Sequence, residues 1–372
     1  MHRRAWLVVL ISLQTAALGI SMAQAASIDA QAVNDAKWED RKTTQNMTRS
    51  ALVKLQVLLD RAHFSPGEID GKPGDNLDKA IAAYAAAQGA GSAMSSELWQ
   101  KLSDAFKDPI IVEHKISEAE VKGPFSGKIP SKMEDMKDLP ALGYADPKEK
   151  LAEQFHMSPE LLTALNPDRT FDKPGETIMV ANVSADKLGE KVTRIEIDKS
   201  KQILKALDRS NTLLATYPVT AGSTEKPAPD GVLKVTSVAK NPTYRYNPEY
   251  AFKGVKSREP FTIKPGPNNP VGLVWIGLNK EGYGIHGTNV QSSVGKAVSH
   301  GCFRMRKQDV EELYSLMQVG DTVTVRRERD AMIAQVFAAP GVPATALAAK
   351  TTANAEMQVA SASVTSVETT EQ

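Results

Sequence analysis

The hydrophobic pattern of this chain changes its period partway along, and this change limits the folds that the chain can adopt. Between Arg49 and Ser103 the apolar residues recur at helical spacing, whereas from Thr193 to Val325 they alternate with polar residues as in half-buried strands. A chain of 372 residues is also too long for one hydrophobic core. We therefore predict a multidomain α+β protein in which a small helical part precedes a mostly-β part.

The charge balance argues against nucleic acid as a partner. Lys and Arg together number 45 and Asp and Glu number 44, which gives a net charge of +1. Binding to a phosphate backbone requires clustered positive charge, which this composition does not indicate. We expect no nucleic-acid partner.

The first 25 residues are typical of a signal peptide. Arg3 and Arg4 supply positive charge, the stretch from Trp6 to Leu13 is mostly apolar, and Ala23-Gln24-Ala25 fits a cleavage site. A membrane anchor is the alternative, but the apolar run is too short to cross a bilayer. We expect an exported protein of the periplasm or cell wall, without a membrane span after the signal is removed.

Cys302 is the only cysteine in the chain. Exported proteins usually pair their cysteines as disulfides, and no pair can form within this chain. A free thiol in an oxidising compartment is exposed to oxidation, which favours a chemical use for it. The alternative is a buried thiol that acts as a small hydrophobic side chain.

Residues 49–106 are predicted to form three helices with a turn-rich loop between the first two. Their sequence resembles the three-helix peptidoglycan-binding domain. The matching residues are Leu55-Gln56, Pro66-Gly67, Ile69-Asp70-Gly71, Gly74, Ala80-Ile81, Leu98-Trp99 and Leu102. The second helix carries Tyr84-Ala85 where the family usually has Phe-Gln. A helical spacer that binds nothing is the alternative.

Residues 107–190 form a middle region of small α/β character. We predict helices from Lys148 to Phe155 and from Pro159 to Leu165, then a strand from Gly175 to Val180. The order of helix, helix, Asn-Pro and strand is similar to part of a lysin-type glycan-binding motif, although no opening strand is apparent. A linker subdomain is an equally good interpretation.

Residues 191–326 are predicted to form a mostly antiparallel, sandwich-like or barrel-like β domain with one helix. The helix is expected from Lys307 to Gln318 and is ended by Gly320. The remaining segment, 332–372, is rich in Ala, Thr, Ser and Val, and we predict a disordered tail there.

The motif Ser299-His300-Gly301-Cys302 combines the residue types that thiol catalysis needs. An imidazole converts a thiol to the reactive thiolate, and both His300 and the upstream His286 are candidates. Residues i and i+2 share a face of a strand, so His300 could support Cys302 directly. Gly301 lets the backbone approach a substrate closely, and the N–H groups near it could stabilise an oxyanion.

This motif, preceded by His286-Gly287-Thr288-Asn289, resembles the signature of L,D-transpeptidase catalytic domains. Further matches are Asn241-Pro242, Tyr244, Gly266-Pro267, Asn269-Pro270 and Trp275-Ile276. The resemblance implies that Cys302 is the nucleophile, that His286 is the general base and acid, and that the Gly287 carbonyl fixes the His286 tautomer. It also implies that His300 and Gly301 shape the site.

Four residues are assigned to substrate binding on the same resemblance: Arg304, Gly287, Trp275 and Tyr283. The guanidinium of Arg304 suits a substrate carboxylate, or it holds the active-site loop. A structural ion pair is an equally good interpretation of this arginine.

The resemblance further implies a reaction on peptidoglycan. Cys302 attacks the stem tetrapeptide at the L-centre of its diamino acid, D-Ala leaves, and a thioester forms that an acceptor amine resolves. The acceptor can be another stem, which gives a 3–3 cross-link, or a lysine of an envelope protein; if water attacks, the enzyme is a hydrolase or carboxypeptidase. Carbapenems are expected to acylate the thiol, as they do in this family.

Two further alternatives follow from the residues. His286, His300 and Cys302 are zinc-compatible, but there is no second cysteine and the spacing is unusual for a closed site. We expect no metal and no cofactor. A catalytically silent wall-binding protein is the other alternative, with peptidoglycan glycan as its partner.

Overall fold

The computed structural model of the protein describes residues 27–40, 43–183, 188, 190–222, 227–250, 255–296 and 301–326. The predicted signal peptide, the predicted tail and His300 lie outside the described residues. None of the helices in the described ranges combines the length and apolarity that a membrane crossing requires.

The N-terminal part of the molecule is helical, as predicted. Its helices are α1 (Ala30–Asn34), α2 (Arg49–Arg61), α3 (Asp75–Ala87) and α4 (Ser96–Ala105). Side-chain caps fix three of the four starts, because Asp29 accepts a hydrogen bond from Ala32 N, Thr48 accepts one from Ala51 N and Ser95 accepts one from Leu98 N. These three helices therefore begin at capping residues, whereas α3 follows Gly74.

The middle region contains a two-stranded antiparallel sheet and four short helices. These elements are β1 (Ile111–Lys115), α5 (Glu118–Val121), α6 (Met133–Met136), α7 (Pro147–Gln154), α8 (Pro159–Leu165) and β2 (Thr177–Ala181). β1 pairs with β2 from Ile111↔Ala181 to Lys115↔Thr177. The sequence patterns do not predict β1.

The C-terminal part is mostly β, as predicted. Its strands are β3 (Arg194–Asp198), β4 (Ile203–Leu207), β5 (Leu213–Pro218), β6 (Thr220–Ala221), β7 (Gly231–Lys240), β8 (Tyr244–Tyr246), β9 (Phe261–Ile263), β10 (Val274–Leu278), β11 (Gly284–His286), β12 (Phe303–Arg304) and β13 (Thr322–Arg326). The helix α9 (Lys307–Leu316) follows β12.

Nine of these strands form one mixed sheet in the order β5-β4-β3-β13-β7-β10-β11-β12-β6. The pairs β13–β3 and β11–β12 are parallel, and the other six are antiparallel, while β8 and β9 form a separate pair. The long strand β7 pairs with β13 through its first half and with β10 through its second half. Residues from both halves of the sheet and from α9 bury one apolar core, so the sheet encloses it in a sandwich-like manner.

The helical part and the middle region also share one core. Buried residues of α2 and α4, such as Leu55 and Trp99, belong to the same apolar cluster as Leu161 of α8 and Val180 of β2. Arg61 strengthens this junction, because its guanidinium donates to the carbonyls of Asp108, Pro109 and Asn182. The two predicted units therefore pack together through apolar and polar contacts.

Both N-terminal units contact the β domain at α9 and at the loop that precedes β12. The ammonium of Lys307 pairs with Glu153 of α7, and His63 hydrogen-bonds Glu312. Asn76 of α3 donates to the carbonyl of Val294. These contacts place the helical unit beside the segment that contains Cys302.

Candidate active site

Cys302 lies directly before β12, at the rim of the nine-stranded sheet. Its side chain is partly exposed, and Sγ lies 3.4 Å from the Gly282 carbonyl oxygen, to which the thiol donates. The preceding Gly301 has a φ of +109°, a backbone conformation that residues with a side chain rarely adopt. A partly exposed thiol on this turn can meet a substrate from solvent.

His286 ends β11 and is buried, with 6% of its surface exposed. Its Nδ1 lies 2.6 Å from the Gly287 carbonyl oxygen, which can only accept a hydrogen bond. Nδ1 therefore carries the proton in the neutral ring, and Nε2 is left as the basic atom. This contact is the one that the family resemblance implies for Gly287.

The strand register brings the predicted residues into one row. Trp275 of β10 pairs with His286, His286 pairs with Arg304 of β12, and Arg304 pairs with Thr220 of β6. Directly paired residues project to the same face of a sheet. Phe303, between Cys302 and Arg304, faces the core and is fully buried.

The ring of His286 stacks on the indole of Trp275. The ring centroids are 5.5 Å apart and the planes differ by 18°. The backbone beyond His286 is also confined, because a side chain on Gly272 would approach the Gly287 backbone to 3.0 Å. A Cβ on Gly287 would in turn lie 3.4 Å from Gly272 Cα and 3.4 Å from Lys307 Cγ. The imidazole is thus held by packing as well as by its hydrogen bond.

Electrostatics keep the imidazole neutral. Burial, and then the positive charge of Arg304, lower the pKa of His286 to about 3, although the Gly287 carbonyl opposes this shift. Burial also lowers the pKa of Arg304, while the nearby Cys302 and Tyr244 raise it. Arg304 Nε is buried and has no hydrogen-bond partner among the described residues. A neutral imidazole at pH 7 can accept a proton from a thiol.

Tyr283 lies in the turn between β10 and β11. Its backbone carbonyl accepts from Leu278 N, and the Lys280 ammonium lies 5.1 Å from the centre of its ring. Tyr283 follows Gly282, whose carbonyl contacts the thiol of Cys302. The structure thus places Trp275, Tyr283, His286, Gly287, Gly301, Cys302 and Arg304 around one end of the sheet.

Three contributors to the site are not apparent from the sequence motifs. These are the Gly282 carbonyl, Thr220 in the row beside Arg304, and Lys307 behind Gly287. Of these three, only Gly282 has a sequence signal, because it belongs to the Gly-Tyr-Gly stretch that precedes Ile285 and His286. Within the described residues, no group of three or more His, Cys, Asp or Glu side chains could hold a metal ion.

Comparison with protein families matches residues 192–325 to the YkuD family, which is described as an L,D-transpeptidase catalytic domain. The matched segment begins just before β3 and ends within β13. It therefore contains all residues of the row described above.

Curated relatives match the same part of the chain. The putative L,D-transpeptidase YqjB of Bacillus subtilis is 38% identical over 121 residues, which are 31% of this chain and 61% of the relative. The putative L,D-transpeptidase YkuD of Bacillus licheniformis is 29% identical over 180 residues, 48% of this chain and 92% of the relative. The chain thus spans about three fifths of the length of YqjB.

Two further proteins are similar over part of the chain. The probable L,D-transpeptidase YbiS of Escherichia coli K12 is 27% identical over 190 residues, 49% of this chain and 60% of the relative. The solved structure of L,D-transpeptidase 3 from Mycobacterium tuberculosis, in complex with a faropenem-derived adduct, has a TM-score of 0.31 at 14% identity. It covers 41% of this chain and 75% of the solved chain.

Proposed function

Residues 192–325 of this chain belong to the YkuD family of L,D-transpeptidase catalytic domains, and from this premise we propose that the protein is a peptidoglycan L,D-transpeptidase with Cys302 as its nucleophile. The observation that carries the proposal is the row across β10, β11 and β12. In this row a neutral His286 with a fixed tautomer pairs with Arg304, which lies two residues after the partly exposed thiol of Cys302. These are the two groups that thiol acyl transfer requires.

The reaction begins with proton transfer from the Cys302 thiol to Nε2 of His286. The sulfur then attacks the carbonyl carbon at the L-centre of the diamino acid in a stem tetrapeptide. The C–N bond to D-Ala breaks, His286 returns its proton to the leaving amine, and a thioester remains. Backbone N–H groups near Gly301 are candidate donors to the oxyanion of the intermediate.

An acceptor amine resolves the thioester in the second half of the reaction. The amine attacks the thioester carbonyl, loses a proton to His286, and the thiolate leaves as a new amide forms. A second stem as acceptor gives a 3–3 cross-link, an envelope-protein lysine gives an anchored protein, and water gives a trimmed stem. We assign Arg304 to the stem carboxylate or the active-site loop, and Trp275 and Tyr283 to the walls of the stem-binding site.

The proposed setting is the periplasm or cell wall, where peptidoglycan lies. The helical unit of residues 49–106 and the middle region of residues 107–190 are proposed to contact glycan. Support for the second assignment comes from α7, α8 and β2, which follow one another in the helix-helix-strand order of a lysin-type motif. The strand β1 pairs with β2, although α5 and α6 lie between β1 and α7 in the chain.

Intact mass spectrometry with a carbapenem tests the proposal. The wild-type protein should gain one drug-sized adduct, and Cys302→Ala should gain none. Because loss of a general base costs about 10²–10⁴-fold in rate, His286→Ala should slow adduct formation by at least about a hundredfold. His114→Ala in the middle region is the control and should react at the wild-type rate.

Failure of the wild-type protein to form an adduct would favour the catalytically silent wall-binding alternative. A near-normal rate for His286→Ala would move the base role to His300. Muropeptide analysis with and without the gene identifies the acceptor, since 3–3 dimers, protein-linked stems and shortened stems have different masses.

A further inference from the structure

The helical unit contacts the β domain on both sides of Cys302 in the chain. Before Cys302, the side-chain Nδ2 of Asn76 donates to the Val294 carbonyl oxygen at 2.8 Å. After Cys302, Nη1 of Arg306 donates to the Gly67 carbonyl oxygen. On the helical unit, the acceptor Gly67 lies in the loop before α3, and the donor Asn76 lies in the first turn of α3. Described residues on both sides of Cys302 in the chain therefore contact this loop and first turn.

These contacts are shielded from water. Asn76 is 7% exposed, and Val294 and Arg306 are each 1% exposed. Hydrogen bonds in such surroundings are costly to break, because a group that loses its partner cannot turn to solvent. These contacts between the helical unit and the β domain are thus a fixed part of the fold, unlike a flexible linker between independent domains.

A chain of contacts connects Asn76 to the catalytic row. Gly295, the neighbour of Val294, donates its N–H to Thr220 Oγ1 at 2.8 Å. Thr220 is fully buried in β6 and pairs with Arg304 of β12, the strand that Cys302 precedes. A shift at Asn76 would therefore reach the strand that carries the nucleophile through Gly295 and Thr220.

The space at this contact fits asparagine closely. Gly295 has a φ of +73°, and a Cβ on it would lie 2.2 Å from Asn76 Oδ1. On the opposite side, a Cβ on Gly67 would lie 3.2 Å from Asn76 Nδ2. Two glycines from two different units thus make room for one side chain, so the packing here depends on all three residues.

The loop that resembles a glycan-binding loop is also placed unexpectedly. Residues of this loop, including Glu68, Asp70 and Lys72, face Gln291 and Lys296 of the β domain across a narrow crevice. The loop therefore faces the β domain near the active site. In this place it can help to position the active-site residues.

We infer that Asn76 is a positioning residue for the catalytic cysteine: through its hydrogen bond to Val294, and from there through Gly295 and Thr220, the helical unit fixes β12, the strand that Cys302 precedes. The inference rests on the proposed function for its catalytic meaning, since the thiol must be the nucleophile for its position to matter. It assigns to the helical unit a part in the reaction in addition to any contact with glycan.

Asn76→Asp tests the inference with a nearly isosteric change. It removes the Nδ2 donor and sets a carboxylate against the Val294 carbonyl oxygen. At a temperature where the variant is fully folded, the rate constant for carbapenem acylation should fall at least about tenfold. The apparent carbapenem dissociation constant should change less than the rate constant. Asn46→Asp makes the same charge change at an exposed site three residues before this unit begins and should stay within about twofold of wild type.

Alkylation by iodoacetamide gives a readout that does not depend on enzymatic activity. Because Cys302 is the only cysteine, the reaction reports one thiol. The thiolate is the reactive form, so a displaced thiol should need a higher pH to react. We expect the midpoint of the pH–rate profile to move upward in Asn76→Asp and to stay unchanged in Asn46→Asp.

Gly295→Ala provides a second test in case Asn76→Asp folds poorly. In the wild-type background, the added methyl group should slow acylation because it clashes with Asn76 Oδ1. In the Asn76→Ala background, which lacks Oδ1, the same change should slow acylation much less. Gly320→Ala is the matched control, because Gly320 also has a positive φ (+99°) but no atom lies within 4 Å of the added carbon. It should leave the acylation rate unchanged.

The inference is overturned if Asn76→Asp is acylated and alkylated at wild-type rates, or if Gly295→Ala slows acylation equally in both backgrounds. If the wild-type protein is not acylated at all, the proposed function fails, and the alkylation profiles of the two Asp variants still decide whether Asn76 positions the thiol.

Discussion

His286 combines burial with a hydrogen bond to the Gly287 carbonyl, and this combination defines its chemistry. The Gly287 carbonyl accepts the hydrogen bond from Nδ1, while burial and Arg304 disfavour a second proton on the ring. At neutral pH Nε2 therefore carries no proton. Because Arg304 contributes, after burial, to the low pKa of His286, its positive charge helps to set the pH at which the imidazole becomes protonated.

Arg304→Gln should make the enzyme more sensitive to acid. Removing the positive charge raises the pKa of His286, so the imidazole becomes protonated, and loses its ability to act as a base, at a higher pH. The acid limb of the pH profile for carbapenem acylation should therefore move upward. Arg245→Gln, an equal charge change on an exposed residue of β8, should leave the limb in place. An unmoved limb in Arg304→Gln would contradict this account.

The depressed pKa of His286 also predicts how stability depends on pH. Between its usual pKa of 6.5 and the folded value of about 3, the unfolded chain binds the proton more readily than the folded protein does. Stability is therefore lost as the pH falls below about 6.5, and part of this loss belongs to His286. His286→Gln should lose less stability than wild type between pH 8 and pH 5, as measured by urea unfolding. Equal losses in both proteins would show that the ring does not resist protonation.

At the scale of elements, the site depends on a short parallel pair. β11 and β12 have three and two residues, which give few hydrogen bonds of their own. Their position is secured by Ile285 and Phe303, which are fully buried, and by α9, which packs against β10 and β11. The helix is thus a support for the strand that carries His286.

Leu313→Ala should reveal the strength of this support. Leu313 of α9 is fully buried in the core of the β domain. Large-to-small changes at such sites cost about 2–5 kcal/mol, because both transfer energy and packing are lost. Ser315→Ala, on an exposed position of the same helix, should cost less than about 0.5 kcal/mol. Urea denaturation gives both values, and a cost below 1 kcal/mol for Leu313→Ala would mean that α9 packs loosely.

The elements also show which features the sequence patterns could predict. Pro159–Leu165 is observed as predicted, because Ser158 caps it, Pro159 suits its first turn and Asn166 ends it, all of them local signals. β1 is not apparent from its own five residues, since it is defined by pairing with β2, far along the chain. The short strands β11 and β12 likewise depend on their partners and on a buried core.

At the scale of the whole molecule, a buried ion pair links the middle region to α9. Lys307 and Glu153 have side chains that are 2% and 9% exposed, and burial raises the pKa of Glu153 to about 7. The Lys307 ammonium also reaches the Pro267 carbonyl oxygen at 3.1 Å. The lysine thus joins the middle region, α9 and the loop behind Gly287.

Glu153→Ala should destabilise the protein strongly. Removing one partner leaves a buried charge without compensation, which costs about 3–5 kcal/mol, whereas replacing both partners with apolar residues can be nearly neutral. Glu153→Leu combined with Lys307→Met should therefore recover much of the loss. Arg169→Ala, which breaks an exposed pair with Glu176, should cost about 0–1 kcal/mol. Equal urea midpoints for wild type and Glu153→Ala would indicate that the two parts do not pack in solution.

The sequence by itself determined the class of chemistry and the kinds of element. A lone cysteine in a glycine-flanked motif, an upstream His-Gly and a change from helical to strand periodicity are local features, and they sufficed to predict a mostly-β domain with a thiol nucleophile. The local patterns do not predict which side chains contact one another, because these contacts form between residues that are distant in the chain. Only the tertiary structure decided that Trp275, His286, Arg304 and Thr220 form one row. It likewise decided that burial and the charge of Arg304 keep the imidazole neutral, and that Asn76 of the helical unit contacts Val294. Strand register and burial set these relations, and both arise from packing of the whole chain.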